Sequence, residues 1–326
     1  MRIVRYHEFG PSSVLRVEEA ETPRPGPGEV LVRVEAIGVD QADVQRRRGE
    51  HPVSAPVLPA CPAADVVGVV EQAGAEVPAG HVGTRVVVWK AQNAYADHVI
   101  APLDRITPVP DGLDPAEATV MGSTGRVAVQ VVNSGQLRAG ESVLVHGAAG
   151  AVGHMALQIA KARGAYPVIA TASSPEKLDF ARSLGADVTV DYGRSDWAEQ
   201  VSKAVDGRGV DVILNGIGGE LLHDDVELLA PYGRLVFYGA SGSPTARPVL
   251  PFLDVLGMKY VTGFSMAALL RHRPDLAESG TRQLFDAVAG GAVRPVVAAR
   301  VPLSDVARAH DLVESRASRG RVVLVP

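Results

Sequence analysis

The feature that most constrains the fold of this chain is a glycine-rich turn between a predicted strand and a predicted helix. Residues 142–146, Ser-Val-Leu-Val-His, form an apolar run typical of a buried strand, and residues 151–163 carry apolar side chains at helical spacing. A glycine turn at such a junction lets the backbone approach a pyrophosphate, whose oxygens accept from the N–H groups that begin the helix. The junction therefore predicts dinucleotide binding by Gly147, Ala149, Gly150, Ala151, Val152 and Gly153.

The end of the next predicted strand indicates which dinucleotide is bound. A site for NAD places an Asp or Glu there, where it accepts from the ribose 2′-hydroxyl. Residues 169–174, Ile-Ala-Thr-Ala-Ser-Ser, contain no acid, and Lys177 follows one helical turn later. The hydroxyls of Ser173 and Ser174 with the Lys177 cation suit a 2′-phosphate, which predicts NADPH. The alternative is that Ser174 only caps a helix and Lys177 is a solvated charge, and both interpretations can hold together.

Two different sequence patterns along the chain predict two kinds of domain. Residues 28–36, 65–71 and 85–89 are short β-branched or alternating runs between glycines and prolines, which predicts a small all-β barrel or sandwich. From residue 140 to 265, apolar strands alternate with helical segments, which predicts a doubly wound parallel sheet. The tail, residues 296–325, is expected to form strand, helix and strand, and could close that sheet or return to the first domain.

Composition excludes several classes of protein. A length of 326 residues suggests two domains at about 150 residues each. The net charge of −5 argues against a nucleic-acid surface, and the single cysteine excludes a disulfide framework or a four-cysteine zinc site. No signal peptide and no apolar run of about 20 residues is recognisable. We therefore expect a soluble, cytoplasmic protein that does not enter membranes.

Several motifs in order extend the glycine turn into a family resemblance. They are His-Gly-Ala-Ala-Gly-Ala-Val-Gly at 146–153, Ala-Ser-Ser-Pro-Glu-Lys-Leu at 172–178, Gly-Arg-Gly-Val-Asp-Val-Ile at 207–213 and Gly-Arg-Leu-Val-Phe-Tyr-Gly at 233–239. With them, the chain resembles the zinc-independent quinone oxidoreductase branch of the medium-chain dehydrogenase/reductase superfamily over essentially its whole length. The resemblance implies an α/β protein with a Rossmann doubly wound parallel sheet, a GroES-like β-barrel catalytic domain, a cleft between them and a homodimer.

The resemblance also implies domain limits and further residues that bind NADPH. The catalytic domain would take residues 1–124, the Rossmann domain 125–265, and a segment 266–326 would return to the catalytic domain. Ser173, Lys177 and Tyr192 match positions near the 2′-phosphate. Loops at the nicotinamide end are matched by Tyr238, Gly239, Phe264 and Ser265. Arg316 matches a C-terminal basic residue that reaches the cofactor, and its alternative is a surface charge on an amphipathic helix.

Zinc is not expected. Zinc-dependent relatives need a Cys near residue 40 and Gly-His-Glu near 63–65, whereas this chain has Asp40, Ala63-Ala64-Asp65 and no cysteine besides Cys61. Three protein ligands for a catalytic zinc cannot be assembled from these residues. Asp65 is expected to make a structural hydrogen bond instead.

The catalytic segment departs from the pattern of the family that the chain resembles. The usual Asn-x-x-Asp-x-Tyr is here Asp-Gln-Ala-Asp-Val-Gln, so Asp40 and Gln45 replace the Asn and the Tyr. Arg126, at a position that usually holds Thr, could stabilise an enolate or hydroquinone oxygen or form a salt bridge with an Asp such as Asp40. His51 could protonate the product near neutral pH or be an exposed loop residue. Residues 46–48, three arginines, are expected to be a solvated helix face.

These observations predict an NADPH-dependent, metal-free oxidoreductase that transfers hydride to a quinone or an α,β-unsaturated carbonyl. The candidate catalytic residues are Asp40, Gln45, His51 and Arg126. The alternative is a non-catalytic NADPH-binding sensor or structural protein, which the replaced Asn and Tyr would favour.

Overall fold

The computed structural model describes residues 1–51, 55–242, 249–250 and 252–326. These residues divide into two compact units, the first made of residues 1–123 with 295–326 and the second of residues 124–294. The first unit therefore takes residues from both ends of the chain.

The described residues contain fifteen strands and ten α-helices. The strands are β1 (Arg2–Arg5), β2 (Arg16–Glu19), β3 (Glu29–Val39), β4 (Ala64–Ala73), β5 (Arg85–Ala91), β6 (His98–Pro102), β7 (Ile106–Pro108), β8 (Val143–Val145), β9 (Val168–Ala172), β10 (Val188–Asp191), β11 (Val210–Asn215), β12 (Leu229–Phe237), β13 (Tyr260–Gly263), β14 (Val297–Pro302) and β15 (Arg321–Val325). The helices are α1 (Gln41–Arg48), α2 (Pro115–Ala118), α3 (Ser123–Ser134), α4 (Gly153–Ala162), α5 (Pro175–Ser183), α6 (Trp197–Ala204), α7 (Leu221–Leu228), α8 (Met266–His272), α9 (Pro274–Ala289) and α10 (Val306–Glu314). None of the described helices is both long and apolar enough to cross a membrane.

The first unit is built on a seven-stranded sheet in the order β14-β15-β3-β4-β5-β7, with β6 also paired to β3. Its strands are rich in valine because β-branched side chains fit a pleated, buried surface. Val30, Val66 and Val88 are among those that pack into its core. The tail joins this sheet, since β15 runs antiparallel to β3 and pairs Val322 with Val39. Of the two expectations for the tail, the return to the first domain is the observed one.

The second unit is a six-stranded parallel sheet in the order β10-β9-β8-β11-β12-β13. The predicted doubly wound parallel sheet is thus confirmed. The chain order reverses between β8 and β11, which makes the carboxyl ends of these two strands the topological switch point. Ligands of doubly wound sheets bind in the crevice at that point.

The expected return to the first domain at residue 266 is wrong, because residues 266–294 belong to the second unit. Gln130 of α3 donates from Nε2 to the carbonyl oxygen of Leu276 at 2.7 Å. Gln158 of α4 donates to the carbonyl of Arg294 at 3.0 Å and accepts from its N–H at 2.9 Å. These buried side-chain amides tie α9 and the residues after it to α3 and α4. The chain therefore leaves the second unit only at Pro295.

Candidate active site

The glycine turn joins β8 to α4, as predicted, and its glycines are required by close backbone packing. Gly147 has a left-handed φ of 60°. A Cβ on Gly153 would lie 2.2 Å from the Gly147 carbonyl oxygen, and one on Gly150 would lie 3.2 Å from that oxygen. Ala148 donates its N–H to the carbonyl of Thr171 at 3.0 Å, which fixes the turn against β9. The turn thus forms a tight backbone loop at the carboxyl end of β8, beside the switch point.

The candidates for the 2′-phosphate meet at the carboxyl ends of β9 and β10. Lys177 donates from Nζ to Ser173 Oγ at 3.1 Å, and the Ser173 side chain is exposed. Ser174 is the N-cap residue of α5, followed by Pro175. Tyr192 donates its N–H to the carbonyl of Ala172 at 3.3 Å. Both interpretations of this segment are therefore compatible with the structure, since the helix begins here and the Ser173–Lys177 pair stands beside its start.

The expected nicotinamide-end residues follow β12 and β13. The Tyr238 ring lies against Gly216, where a Cβ would come within 2.5 Å of the ring. Phe264 donates its N–H to the carbonyl of Phe237 at 2.8 Å. Ser265 caps α8, because its Oγ accepts from the N–H of Ala268 at 3.3 Å. Gly239 is packed nearby, since an added Cβ would make a tight contact of 3.0 Å with the Gly216 carbonyl oxygen.

The catalytic candidates are divided between the two units. Asp40, Gln45 and His51 belong to the first unit, at the start of α1, within it and just after it. Arg126 lies on α3 in the second unit and is half-buried. The cofactor candidate Arg316 belongs to the first unit, where it follows α10 with an exposed side chain and a φ of 54°.

His51 is half-buried, and the expected role as a proton donor near neutral pH is disfavoured by its surroundings. Burial, together with the positive charges of Arg46 and Lys90, lowers the pKa of His51 below its ordinary value. The imidazole is thus less protonated at pH 7 than an exposed histidine.

The expectation of a solvated arginine face on α1 is wrong for Arg47. Its side chain is fully buried and its Nη2 lies 2.8 Å from Glu314 Oε2 on α10. Arg48, which is 45% exposed, reaches the other oxygen of the same carboxylate at 2.5 Å. Helix α10 comes from the end of the chain, so no local pattern around α1 could have shown this partner.

The sequence patterns did not identify Arg321, whose guanidinium binds the carboxylates of both Asp40 and Asp65. Its Nη2 donates to Asp40 Oδ2 at 3.0 Å and to Asp65 Oδ2 at 2.9 Å, and the Arg321 side chain is fully buried. Asp65 also accepts from Ser123, from the N–H at 2.7 Å and from the hydroxyl at 2.8 Å. The structural hydrogen bond predicted for Asp65 is observed, and Arg321, which no sequence motif indicated, is an ion-pair partner of Asp40.

Comparison with known proteins decides the family. A family model described as "Alcohol dehydrogenase GroES-like domain" matches residues 26–111, and one described as "Zinc-binding dehydrogenase" matches residues 151–279. A quinone oxidoreductase from Pseudomonas aeruginosa is 33% identical over 99% of both chains. The chain belongs to the quinone oxidoreductase branch of the medium-chain dehydrogenase/reductase superfamily. The expected family, its GroES-like domain and its enzyme class, an oxidoreductase, are therefore confirmed.

Two further members of the superfamily show the range of similar proteins. A 2-haloacrylate reductase from Burkholderia is 33% identical over 100% of this chain and 99% of its own. The crystal structure of the Escherichia coli quinone oxidoreductase complexed with NADPH superposes with a TM-score of 0.91, at 27% identity over the whole of both chains. The expected fold class is confirmed by this likeness.

In this chain, the side chains around Asp40 and Asp65 do not form a set of ligands that fits zinc. These are the positions where the zinc-dependent relatives need ligands, and here both carboxylates share the guanidinium of Arg321. A permanently charged guanidinium thus lies between the two carboxylates and offsets part of their negative charge. Among the described residues, no three His, Cys, Asp or Glu side chains are grouped as a metal site.

Proposed function

We propose that this protein is an NADPH-dependent, metal-free reductase that transfers a hydride to a quinone or to an α,β-unsaturated carbonyl. The observation that carries the proposal is the Ser173–Lys177 pair, with Nζ 3.1 Å from Oγ, at the end of a strand without an acid. A carboxylate at this place would repel a 2′-phosphate, whereas a cation and a hydroxyl attract it. The pair stands beside a glycine turn at the switch point of the sheet, where a dinucleotide is bound in this fold.

The residues of the second unit fit NADPH along its length. The backbone of the turn at residues 147–153 would hold the pyrophosphate, and Ser173, Lys177 and Tyr192 would hold the 2′-phosphate. The ring of Tyr238, packed on Gly216, would flank the nicotinamide end. Arg316 stays in the proposal as a cofactor contact from the first unit. When bound, NADPH supplies the hydride, and the protein positions the acceptor and stabilises its developing negative charge.

The catalytic candidates receive different roles. Arg126 would stabilise the oxygen that becomes an enolate or hydroquinone oxyanion, because its guanidinium stays charged at any working pH. Gln45, half-buried on α1, remains a candidate whose amide can donate a hydrogen bond. Asp40 is a positioning residue, since Arg321 holds its carboxylate at 3.0 Å. The lowered pKa of His51 disfavours it as the proton donor, because a smaller fraction of its imidazole is protonated near neutral pH.

The acceptor class follows from what two similar proteins have in common. One is named a quinone oxidoreductase and the other a 2-haloacrylate reductase. A quinone and a haloacrylate both carry an electron-poor C=C bond conjugated to a carbonyl group. The proposed reaction adds hydride from NADPH to the conjugated system and a proton from solvent, giving NADP⁺ and the doubly reduced acceptor.

A homodimer is part of the proposal, and it is supported by the exposed edge of the second unit's sheet. Strand β13 pairs only with β12 among the described strands, and Tyr260 and Val261 are 56% and 39% exposed. An exposed apolar edge strand is a template for pairing with a second copy. Val261→Glu should give a monomer in light scattering, whereas Val82→Glu, at a 57% exposed position of the first unit, should not. A monomeric wild-type protein in the same measurement would contradict the proposed dimer.

The expected cytoplasmic location also belongs to the proposal, because the proposed reaction consumes NADPH from a cellular pool.

The decisive experiment follows the hydride itself. NADPH carrying deuterium at the transferable C4 position is incubated anaerobically with the protein and a cyclic enone, and the product is examined by NMR. The proposal predicts one deuterium at the β-carbon and one solvent-derived proton at the α-carbon. Stoichiometric NADPH oxidation with 1,4-naphthoquinone or 2-chloroacrylate, in parallel reactions, would identify the preferred acceptor class. NADPH binding without oxidation by any of the three would favour the non-catalytic alternative.

A further inference from the structure

We infer that a buried polar network of His146, Asp225 and Asn215 positions two of the turns that hold the cofactor, an inference that rests on the proposed function. His146 ends the β8 region directly before Gly147, and Asn215 is the last residue of β11. These are the two strands on either side of the switch point. Asp225, on α7, bridges them from beneath. None of the three side chains belongs to the cofactor contacts or to the catalytic candidates.

The network is short and fully enclosed. His146 Nε2 lies 2.6 Å from Asp225 Oδ1, and both side chains have no exposed surface. The second carboxylate oxygen, Oδ2, accepts from Asn215 Nδ2 at 2.6 Å. On its other side, His146 Nδ1 lies 2.8 Å from the hydroxyl of Thr171 on β9. Every nitrogen of the imidazole and both oxygens of the carboxylate thus have a partner.

The network continues into the loops through the backbone. The Asn215 side-chain oxygen accepts from the N–H groups of Ile217 and Gly218, each at 2.8 Å, which shapes the turn after β11. Thr171, whose hydroxyl reaches His146, accepts with its carbonyl from the N–H of Ala148 in the glycine turn. One connected set of hydrogen bonds therefore joins the pyrophosphate turn to the turn that carries Gly216, on which the Tyr238 ring packs.

A positioning role explains why polar groups occupy this place. Burying a charged carboxylate among strands is costly, and apolar residues of similar volume would often give a more stable core. Hydrogen bonds with defined lengths and directions fix geometry more narrowly than apolar packing does. One turn must hold the pyrophosphate while the other holds the nicotinamide end of the same ligand. The distance between the two turns therefore has to be fixed, because a small displacement of either turn weakens its contacts to the ligand.

The test compares the binding of whole NADPH with the binding of a fragment that contains only its 2′-phosphate end. Asp225→Leu leaves His146 Nε2 and Asn215 Nδ2 buried without their acceptor. It should raise the Kd for NADPH on the order of tenfold, the cost of a lost hydrogen bond to a charged group. Adenosine 2′-monophosphate, which carries the 2′-phosphate but no part of the pyrophosphate, reaches only the Ser173 and Lys177 end and should bind with nearly unchanged Kd. Calorimetric titration of both probes at 25 °C measures the difference.

Two further variants distinguish positioning from stability. Asp225→Asn should keep most of the NADPH affinity, because its oxygen still accepts from Asn215. Its amide can donate to His146 Nε2 in the tautomer with the proton on Nδ1, which the Thr171 hydroxyl can accept. Val201→Ala, a truncation in the same buried core, should lower Tm and leave both Kd values unchanged. If Asp225→Leu does not fold, Thr171→Val decides, with an expected increase of roughly two- to tenfold in the Kd for NADPH alone, typical of a neutral hydrogen bond.

The opposing outcomes are distinct. A lower Tm with unchanged affinity for both probes would overturn the inference, because the network would then serve stability alone. An equal loss of affinity for both probes would also overturn it. Failure of the wild-type protein to bind NADPH would overturn the proposed function, together with the inference that depends on it.

Discussion

The guanidinium of Arg321 donates to the carboxylate of Asp65 at 2.9 Å, although 256 positions separate the two residues along the chain. Both side chains are fully buried. Two glycines leave room for the pair, since a Cβ on Gly38 would lie 2.2 Å from Arg321 Cζ and one on Gly122 would lie 2.4 Å from Asp65 Cγ. The ion pair thus fixes the last strand of the chain against the centre of the first unit's sheet.

Removal of Arg321 should destabilise the protein strongly. Arg321→Met leaves the Asp65 carboxylate buried without its cation, which typically costs about 3–5 kcal/mol in the free energy of unfolding. Urea unfolding measures this loss. The matched control is Arg300→Met, which removes a pair with Asp114 whose side chains are 46% and 42% exposed and should cost at most about 1 kcal/mol. Equal losses for the two variants would contradict the importance of the buried pair.

Lys177 should discriminate between the two nicotinamide cofactors. Lys177→Ala removes a charge-assisted contact to the 2′-phosphate, typically worth about 1.5–3 kcal/mol, so the Kd for NADPH should rise roughly ten- to a hundredfold. The Kd for NADH, which lacks this phosphate, should change little. Lys161→Ala is the control, because its ammonium pairs with Asp187 at 2.6 Å instead. An equal loss of affinity for NADPH and NADH in Lys177→Ala would refute the assignment.

A single methyl group should disrupt the glycine turn. The Cβ of Gly153→Ala would lie 2.2 Å from the carbonyl oxygen of Gly147, a backbone atom that can move only if the turn opens. We expect NADPH binding to be lost and Tm to fall. Gly257→Ala is the matched control in the same unit, where the added Cβ meets only the side chain of Lys259, at 3.4 Å. Unchanged NADPH affinity in Gly153→Ala would show that the turn does not hold the cofactor.

Asp43 should make stability fall as pH rises. Burial, and next the negative charge of Asp40, raises the pKa of Asp43 from its ordinary 3.8 to about 8. The folded protein therefore holds a proton that the unfolded chain has lost, and stability decreases with pH between the two pKa values. Asp43→Asn cannot titrate and still accepts from the N–H of Asp40, so the loss of unfolding free energy from pH 6 to pH 8 should shrink. Asp104→Asn, at an exposed position, should leave that loss as it is in wild type; an unchanged loss in Asp43→Asn would contradict the raised pKa.

The parts of the fold that the sequence predicted depend on local signals. The glycine turn and the acid-free end of β9 are each recognised from a few neighbouring residues. The same holds for each single strand and helix in the alternation from residue 140 onward. The parts that it missed depend on partners far along the chain. Arg321 meets Asp65, Arg47 meets Glu314, and Gln130 meets Leu276, which keeps α9 in the second unit. Nothing in the neighbourhood of these residues indicates which distant residue each would bind.

The central claim is metal-free reduction with NADPH, and one measurement tests it most directly. Purified protein is stripped of metals by exhaustive chelation, and anaerobic NADPH oxidation is then followed with 1,4-naphthoquinone and a cyclic enone. We predict stoichiometric oxidation with at least one acceptor at the rate of untreated protein, because the Arg321 guanidinium, not a metal ion, binds the carboxylates of Asp40 and Asp65. Activity that is lost on chelation and restored by zinc would contradict the account, as would saturable NADPH binding with no oxidation by either acceptor.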